Sequence, residues 1–192
     1  MYREVVVKLA LLAKKGGVGK STVSLLLYEA FRQAGKSVSI LDWDTQGTSS
    51  KSLELINGNK EVLTRKPDIF IYDTPPSLEH TATATAVRNA DIVLVVTSPS
   101  PADIWEAEEA VKFVQARNPK ALVRVMFNKV RRGTILGRLI GDSAKQISVP
   151  ALPVSLSARE CYQHAVAQGW KALDGPAREE VLHLTVALLS KS

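Results

Sequence analysis

The chain has 192 residues, a hydrophobic content of 45% and a net charge of +6, values that fit a single soluble domain with a substantial core. No apolar run approaches the roughly 20 residues of a membrane-spanning helix, and residues 1–4 lead straight into an apolar stretch with no room for a signal peptide. One cysteine, Cys161, excludes an internal disulfide and fits a reducing compartment, so a cytoplasmic location is expected.

Residues 5–13 form an apolar run of the kind seen in a buried parallel strand. A glycine-rich stretch follows at 14–22, and behind it Val23, Leu25, Leu26, Leu27 and Ala30 lay an apolar stripe along a helix over about 20–35. Further strands are expected at 37–42, 69–73, 92–96 and 121–127. A weaker one is expected at 149–154, where Pro150 and Pro153 limit ladder hydrogen bonds. Helical patterns occupy 78–89, 102–117, 134–146, 159–168 and 176–190. Alternating βα units on continuously apolar strands imply an α/β fold: a three-layer, doubly wound, mostly parallel sheet with helices on both faces. Without repeats, low-complexity tracts or long linkers, residues 1–192 are expected to form one domain.

The glycine-rich stretch reads Lys14-Lys15-Gly16-Gly17-Val18-Gly19-Lys20-Ser21-Thr22. Strand, glycine-rich loop and helix in that order are the context of a phosphate-binding P-loop. Three glycines let successive N–H groups turn into one concavity, and the helix dipole adds to the same spot. Lys20 would reach the β- and γ-phosphates of a nucleoside triphosphate, and the Ser21 hydroxyl would ligate Mg²⁺. The strict spacing fails at Lys14, where a first glycine belongs. The stretch from Lys15 to Thr22 instead resembles the deviant Walker A motif of the ParA/MinD family of P-loop ATPases, and matches it at every position. The chain is similar in style to the short, ParF-like partition ATPases, which lack an N-terminal helix-turn-helix extension. In that family the residue matching Lys15 crosses a nucleotide-sandwich dimer to touch the partner's phosphates. The resemblance implies ATP and Mg²⁺ as ligands, with Lys15, Gly16, Gly17, Val18, Gly19, Lys20, Ser21 and Thr22 around the phosphates.

Ligands in open α/β sheets bind beyond the carboxyl ends of the strands, where Asp42, Asp44 and Asp73 fall. Taken singly, Asp42 or Asp44 would more often cap a helix or shape a turn. Residues 41–47, Leu-Asp-Trp-Asp-Thr-Gln-Gly, resemble the family's switch I motif, with Thr45 in place of its proline. By that resemblance Asp44 orients the hydrolytic water and joins Lys15 and Lys20 as catalytic residues. Residues 71–76 resemble the Walker B and switch II segment, with Asp73 as a Mg²⁺ residue beside Ser21 and, less distinctively, Asp42. Asn128, at a strand end, matches the place where relatives set an amide against adenine, although such residues are as often turn formers.

Residues 111–150 hold nine basic residues against one acid, Asp142, a concentration that suits a polyanionic partner. Arg131, Arg132 and Arg138 are its foremost candidates for contacts to DNA phosphates, unless the charges scatter over several faces in space. The resemblance then implies an ATP-dependent homodimer that binds DNA non-specifically, associates with the nucleoid and segregates plasmid or chromosome DNA. A ParB-like or centromere-binding adaptor would stimulate slow hydrolysis. The alternatives are a MinD-like membrane-associated positioning ATPase or a ParA-like ATPase positioning a protein cargo. The membrane reading needs basic residues along the last helix, where only Arg178 and Lys191 stand, so no stable membrane association is expected. A subunit-bridging iron–sulfur cluster of the nitrogenase iron protein type needs two cysteines per subunit, and Cys161 is one. A dethiobiotin-synthetase-like ligase shares the loop style. His80, His164 and His183 show no metal-ligand spacing.

Overall fold

The computed structural model describes residues 6–57 and 66–190; the expected strand start at Val5 and the tail residue Lys191 lie outside them. Among the described residues, five parallel strands form one sheet: β1 (Val7–Leu12), β2 (Val38–Asp42), β3 (Ile69–Asp73), β4 (Ile92–Thr97) and β5 (Leu122–Phe127), in the order β2-β3-β1-β4-β5. The helices are α1 (Lys20–Gln33), α2 (Thr48–Asn57), α3 (Thr81–Asn89), α4 (Pro101–Arg117), α5 (Ile135–Arg138), α6 (Ile140–Ala144), α7 (Glu160–Gln168) and α8 (Gly175–Leu189). The expected α/β architecture is therefore present, and the sheet is wholly parallel.

Strand β1 lies at the centre, paired with β3 on one side and β4 on the other. From β1 the chain passes to one edge at β2 and returns through β3, then crosses to the other side through β4 to the opposite edge at β5. The reversal places the carboxyl end of β1 at the switch point, where such sheets hold ligands. Side chains alternate along β1 and feed two cores. Leu9 and Leu11 join α1, α7 and α8 on one face, whereas Ala10 and Leu12 join α3 and α4 on the other. Leu9, Ala10, Leu11 and Leu12 are at most 1% exposed, so each leucine contributes about 2 kcal/mol of hydrophobic stabilisation.

Several expectations change. Residues 149–154 make only an isolated bridge, Val125 to Ala151, because Pro150 and Pro153 lack the N–H groups a ladder requires. The expected helix over 134–146 is two short pieces, α5 and α6, broken at Leu139. Helix α2 has no counterpart among the expected helices. Its serines favour turns, but Ser49 and Ser52 are buried, and the Asp42 carboxylate accepts from the Ser50 N–H (2.9 Å) near its first turn. His80 is a helix cap: its Nδ1 accepts from the Ala82 N–H (3.1 Å) at the start of α3. Helix α8 buries Ala177, Val181, Leu184 and Leu188 against the core, as a packing helix, and leaves Leu182, Val186 and Leu189 exposed. No helix of the described residues is long and apolar enough to cross a membrane.

Candidate functional site: a phosphate cradle at the end of the central strand

The link from β1 to α1 adopts a conformation that only glycine enters without strain at two positions, Gly17 at φ 85° and Gly19 at φ 91°. Gly19 is also the N-cap of α1, and no side chain caps the helix there. The first N–H groups of α1 are thus left for an anion, with the helix dipole behind them. Gly16, Gly17, Val18, Gly19, Lys20, Ser21 and Thr22 line a cavity of about 360 Å³, together with Lys15, Asp44, Gln46, Thr48, Pro76 and Lys129. All the residues from Lys15 to Thr22 singled out in the sequence meet here.

Lys20 is 6% exposed, with its Nζ 3.8 Å from Oδ1 of Asp73. Asp73 is fully buried; its Oδ2 accepts from the Ser49 hydroxyl (2.5 Å), and its Oδ1 has no hydrogen-bond partner. Burial pushes the Asp73 carboxyl above the usual carboxylate range, opposed by Lys20 and by the hydroxyls of Ser49 and Ser21. The Asp73 carboxylate, with an Oδ1 that accepts no hydrogen bond, and the Ser21 hydroxyl are a hard-oxygen set suited to Mg²⁺. No group of three or more His, Cys, Asp or Glu among the described residues is arranged to hold a metal. Mg²⁺ needs no such cage, because it takes one or two protein oxygens and completes its shell with phosphates and water.

Asp42 sits beside Asp73 in the β2–β3 register. Its Oδ1 accepts from the Asp44 N–H (3.1 Å) and its Oδ2 from the Ser50 N–H, so both oxygens shape the loop and the start of α2. Asp42 is not among the cavity-lining residues, whereas Asp44 is. Oδ1 of Asp44 accepts from the Gln46 N–H (3.1 Å), which leaves its second oxygen for the cavity. Trp43, between them, rests on Tyr72 with ring centroids 5.0 Å apart.

A second cavity of about 500 Å³ opens on the other side of Gly19, lined by Thr22, Asn128, Lys129, Arg131 and the 157–163 segment. Asn128 is 5% exposed, and its Nδ2 donates to the Val18 carbonyl (2.8 Å). The side chain lies so close to Gly19 that a Cβ there would collide with it. Lys129 follows with φ 57°, unusual for a residue with a side chain, and its Nζ donates to the Gly17 carbonyl (2.6 Å). It lines both cavities. In the sequence it is one basic residue among nine, and nothing there signals its left-handed backbone.

Lys15 forms ion pairs with Asp103 and, at 3.7 Å, with Glu106, both on α4. The neighbouring Lys14 pairs with Glu109, one turn further along, at 2.5 Å. These acids raise the pKa of both lysines, chiefly through the side-chain hydrogen bonds they accept. The basic window, by contrast, does not form one patch. Arg124 is buried on β5, Lys112 pairs with Glu108, and Arg117 stacks on Phe113. Arg131, Arg132 and Arg138 are exposed on one short segment, beside exposed Ile135, Leu136 and Leu139.

Comparisons with known proteins agree with this geometry. The family model of the CobQ/CobB/MinD/ParA nucleotide binding domain matches residues 9–170. The chain is 26% identical over 184 residues to maintenance of carboxysome distribution protein A from Halothiobacillus neapolitanus, with 84% of each chain covered. Its fold is similar to that of a Cyanothece McdA–ATP complex, with a TM-score of 0.78, 17% identity and 97% and 98% of the two chains covered. It is also similar to the MinD cell division protein of Aquifex aeolicus, with a TM-score of 0.76, 16% identity and 96% and 97% coverage. With a family model spanning most of its length and a P-loop cradle at the switch point of its sheet, this chain belongs to the CobQ/CobB/MinD/ParA nucleotide-binding domain family.

Proposed function

We propose that this chain is an ATP-hydrolysing positioning switch of the ParA type, acting as one domain, and that it distributes a protein cargo. The observation that carries the ATPase reading is the phosphate cavity, lined by Lys20, Ser21 and Asp44, with the buried Asp73 carboxylate 3.8 Å behind the Lys20 ammonium. The loop N–H groups and Lys20 hold the β- and γ-phosphates, while Asn128 and the second cavity receive the base and ribose. Ser21 and Asp73 would hold Mg²⁺, which when bound supplies charge neutralisation on the phosphates. Asp44 accepts a hydrogen bond from the attacking water and aims it at the γ-phosphate. Lys15 leaves α4 and reaches the phosphates bound by a second copy, which makes the ATP-bound form a dimer.

Maintenance of carboxysome distribution proteins are 26% and 28% identical over most of this chain's length. They support a protein cargo over the plasmid or chromosome DNA expected from the ParF-like style. DNA serves in this reading as the track, with Arg131, Arg132 and Arg138 on its phosphates, and an adaptor on the cargo stimulates hydrolysis. In the source cell, deletion of the gene would scatter or cluster a protein assembly and leave plasmid inheritance intact; loss of plasmids with normally placed assemblies would overturn the protein-cargo reading. In vitro, ATP hydrolysis and an ATP-dependent dimer are expected from the purified chain, and failure to bind ATP would remove the ATPase reading altogether.

A further inference from the structure

One wall of the second cavity is built from Ser157, Ala158, Arg159, Glu160 and Tyr162, where the chain passes from irregular structure into α7. Two backbone bonds tie this stretch to the sheet side, Leu156 N–H to the Phe127 carbonyl (3.0 Å) and Ala158 N–H to the Val130 carbonyl (2.9 Å). Its side chains are gathered by a carboxylate on α8, while Nη1 of Arg159 also stands 4.0 Å from Asp174. Glu180 accepts from the Ser157 N–H (2.9 Å), the Ser157 hydroxyl (2.8 Å), Nη2 of Arg159 (3.0 Å) and the Tyr162 hydroxyl (2.8 Å). Nη2 of Arg132 stands 3.7 Å from the same carboxylate. Ser157, Arg159 and Tyr162 line the cavity, and Glu180 does not.

We propose that Glu180 is a positioning residue of the nucleotide site: from outside the cavity it sets the wall of Ser157, Arg159 and Tyr162 against the base side of a bound nucleotide. The proposal rests on the nucleotide reading given above. Hydrogen bonds to an ionised acceptor are shorter and stronger than neutral ones, and four donors from three residues specify a geometry that no one of them would hold alone. The Glu180 side chain is only 11% exposed, so water does not replace these partners. Burial alone would raise its carboxyl, but Arg159, Ser157 and Tyr162 hold it below the usual range. Burial, and after it the same carboxylate, pushes the Tyr162 hydroxyl up and keeps it protonated as a donor. The base side of the site is thereby linked to the last helix, on which the neighbouring Glu179 is exposed.

Calorimetric titration of the full chain with Mg²⁺-ATP and, separately, with Mg²⁺-tripolyphosphate tests this. Tripolyphosphate fills the phosphate cradle without a base. Glu180→Gln is expected to weaken ATP about tenfold, the worth of one lost charge-assisted bond, and to leave tripolyphosphate within about twofold. Glu179→Gln is expected to match the parent for both ligands. ATP binding unchanged by Glu180→Gln, or ATP and tripolyphosphate weakened equally, overturns the proposal while the ATPase reading stands. A parent chain that binds neither ligand overturns both. Should Glu180→Gln fail to fold, Ser157→Ala removes one of the four donors, and a selective loss of ATP affinity is again required. Unchanged ATP affinity in that variant overturns the proposal.

Discussion

Lys15 is ion-paired with Asp103 of its own chain, across the gap between the phosphate loop and the first turn of α4. Asp103 is 8% exposed and also accepts from the Ser98 hydroxyl, so the carboxylate is held in place rather than swinging in solvent. With Lys14 on Glu109, the two loop lysines are both fastened to one face of α4. A lysine that is to reach the phosphates of a second copy must first leave this partner. Asp103→Asn keeps the shape and removes the charge, and is expected to lower the protein concentration needed for the ATP-dependent dimer several-fold. Lys15→Ala is expected to bind ATP as a monomer. Light scattering with and without ATP measures both, and a dimer that survives in Lys15→Ala removes that residue from the interface.

Asp44 reaches the cavity with one oxygen committed to the Gln46 N–H. Asp44→Ala is expected to retain ATP binding and dimerisation and to hydrolyse roughly 100-fold more slowly, the typical worth of an oriented general base. Single-turnover hydrolysis measures it; a rate near that of the parent would assign the water to another group.

Asn128 and Gly19 fill one space: the amide reaches the Val18 carbonyl over a residue that has no Cβ. Gly19→Ala combines the collision with the cost of φ 91° and is expected to destabilise the fold by ~1–3 kcal/mol while abolishing nucleotide binding. Asn128→Ala keeps the glycine and is expected to lose about 1 kcal/mol, with weaker ATP binding. Urea unfolding and calorimetry separate these effects.

The Glu180 carboxyl titrates below its ordinary value of 4.5 in the folded chain. The unfolded chain therefore takes up the proton first as pH falls. The stability this group contributes is fully present above that ordinary value and is lost as pH drops through the lower folded one. The urea midpoints of the parent and of Glu180→Gln are expected to differ at neutral pH and to converge under acid conditions below 4.5. A constant difference at every pH would mean that the carboxylate charge contributes nothing.

Arg131 and Arg138 are exposed, while Arg132 stands near Glu180. Replacing all three with alanine is expected to flatten the salt dependence of DNA binding, by roughly 0.9 in slope for each DNA phosphate that is no longer neutralised. Fluorescence anisotropy across a salt series measures the slope, and no change would remove these three arginines as DNA contacts.

The phosphate loop is legible in the sequence because its chemistry is local: successive residues from Lys15 to Thr22 turn one backbone segment around an anion. The strands are legible because a sheet covered on both faces demands unbroken apolar runs, as in Ile69–Asp73 and Ile92–Thr97. Helix α2 is not, since Thr48, Ser49 and Ser50 read as a turn until Asp42 caps them and Asp73 receives the Ser49 hydroxyl. The basic window misleads for a related reason. Residues close in sequence, such as Arg124 and Lys129, point to a buried strand face and to the phosphate loop, not to a common surface.

The α/β fold, the anion cradle and the strand ends that carry Asp42, Asp44 and Asp73 can be read along the chain, because apolar runs, residue spacing and backbone freedom are local properties. Packing alone sets Asp103 on Lys15, closes Asn128 over Gly19, brings Lys129 to both cavities and places Glu180 behind the opposite wall. Asn128 and Val18 are separated by 110 residues, and Lys15 and Asp103 are likewise far apart along the chain. Such pairs meet only because β1, β4 and β5 lie side by side, bringing their carboxyl ends to one edge of the sheet. No local pattern encodes which side chain will stand opposite; the packing of the sheet does.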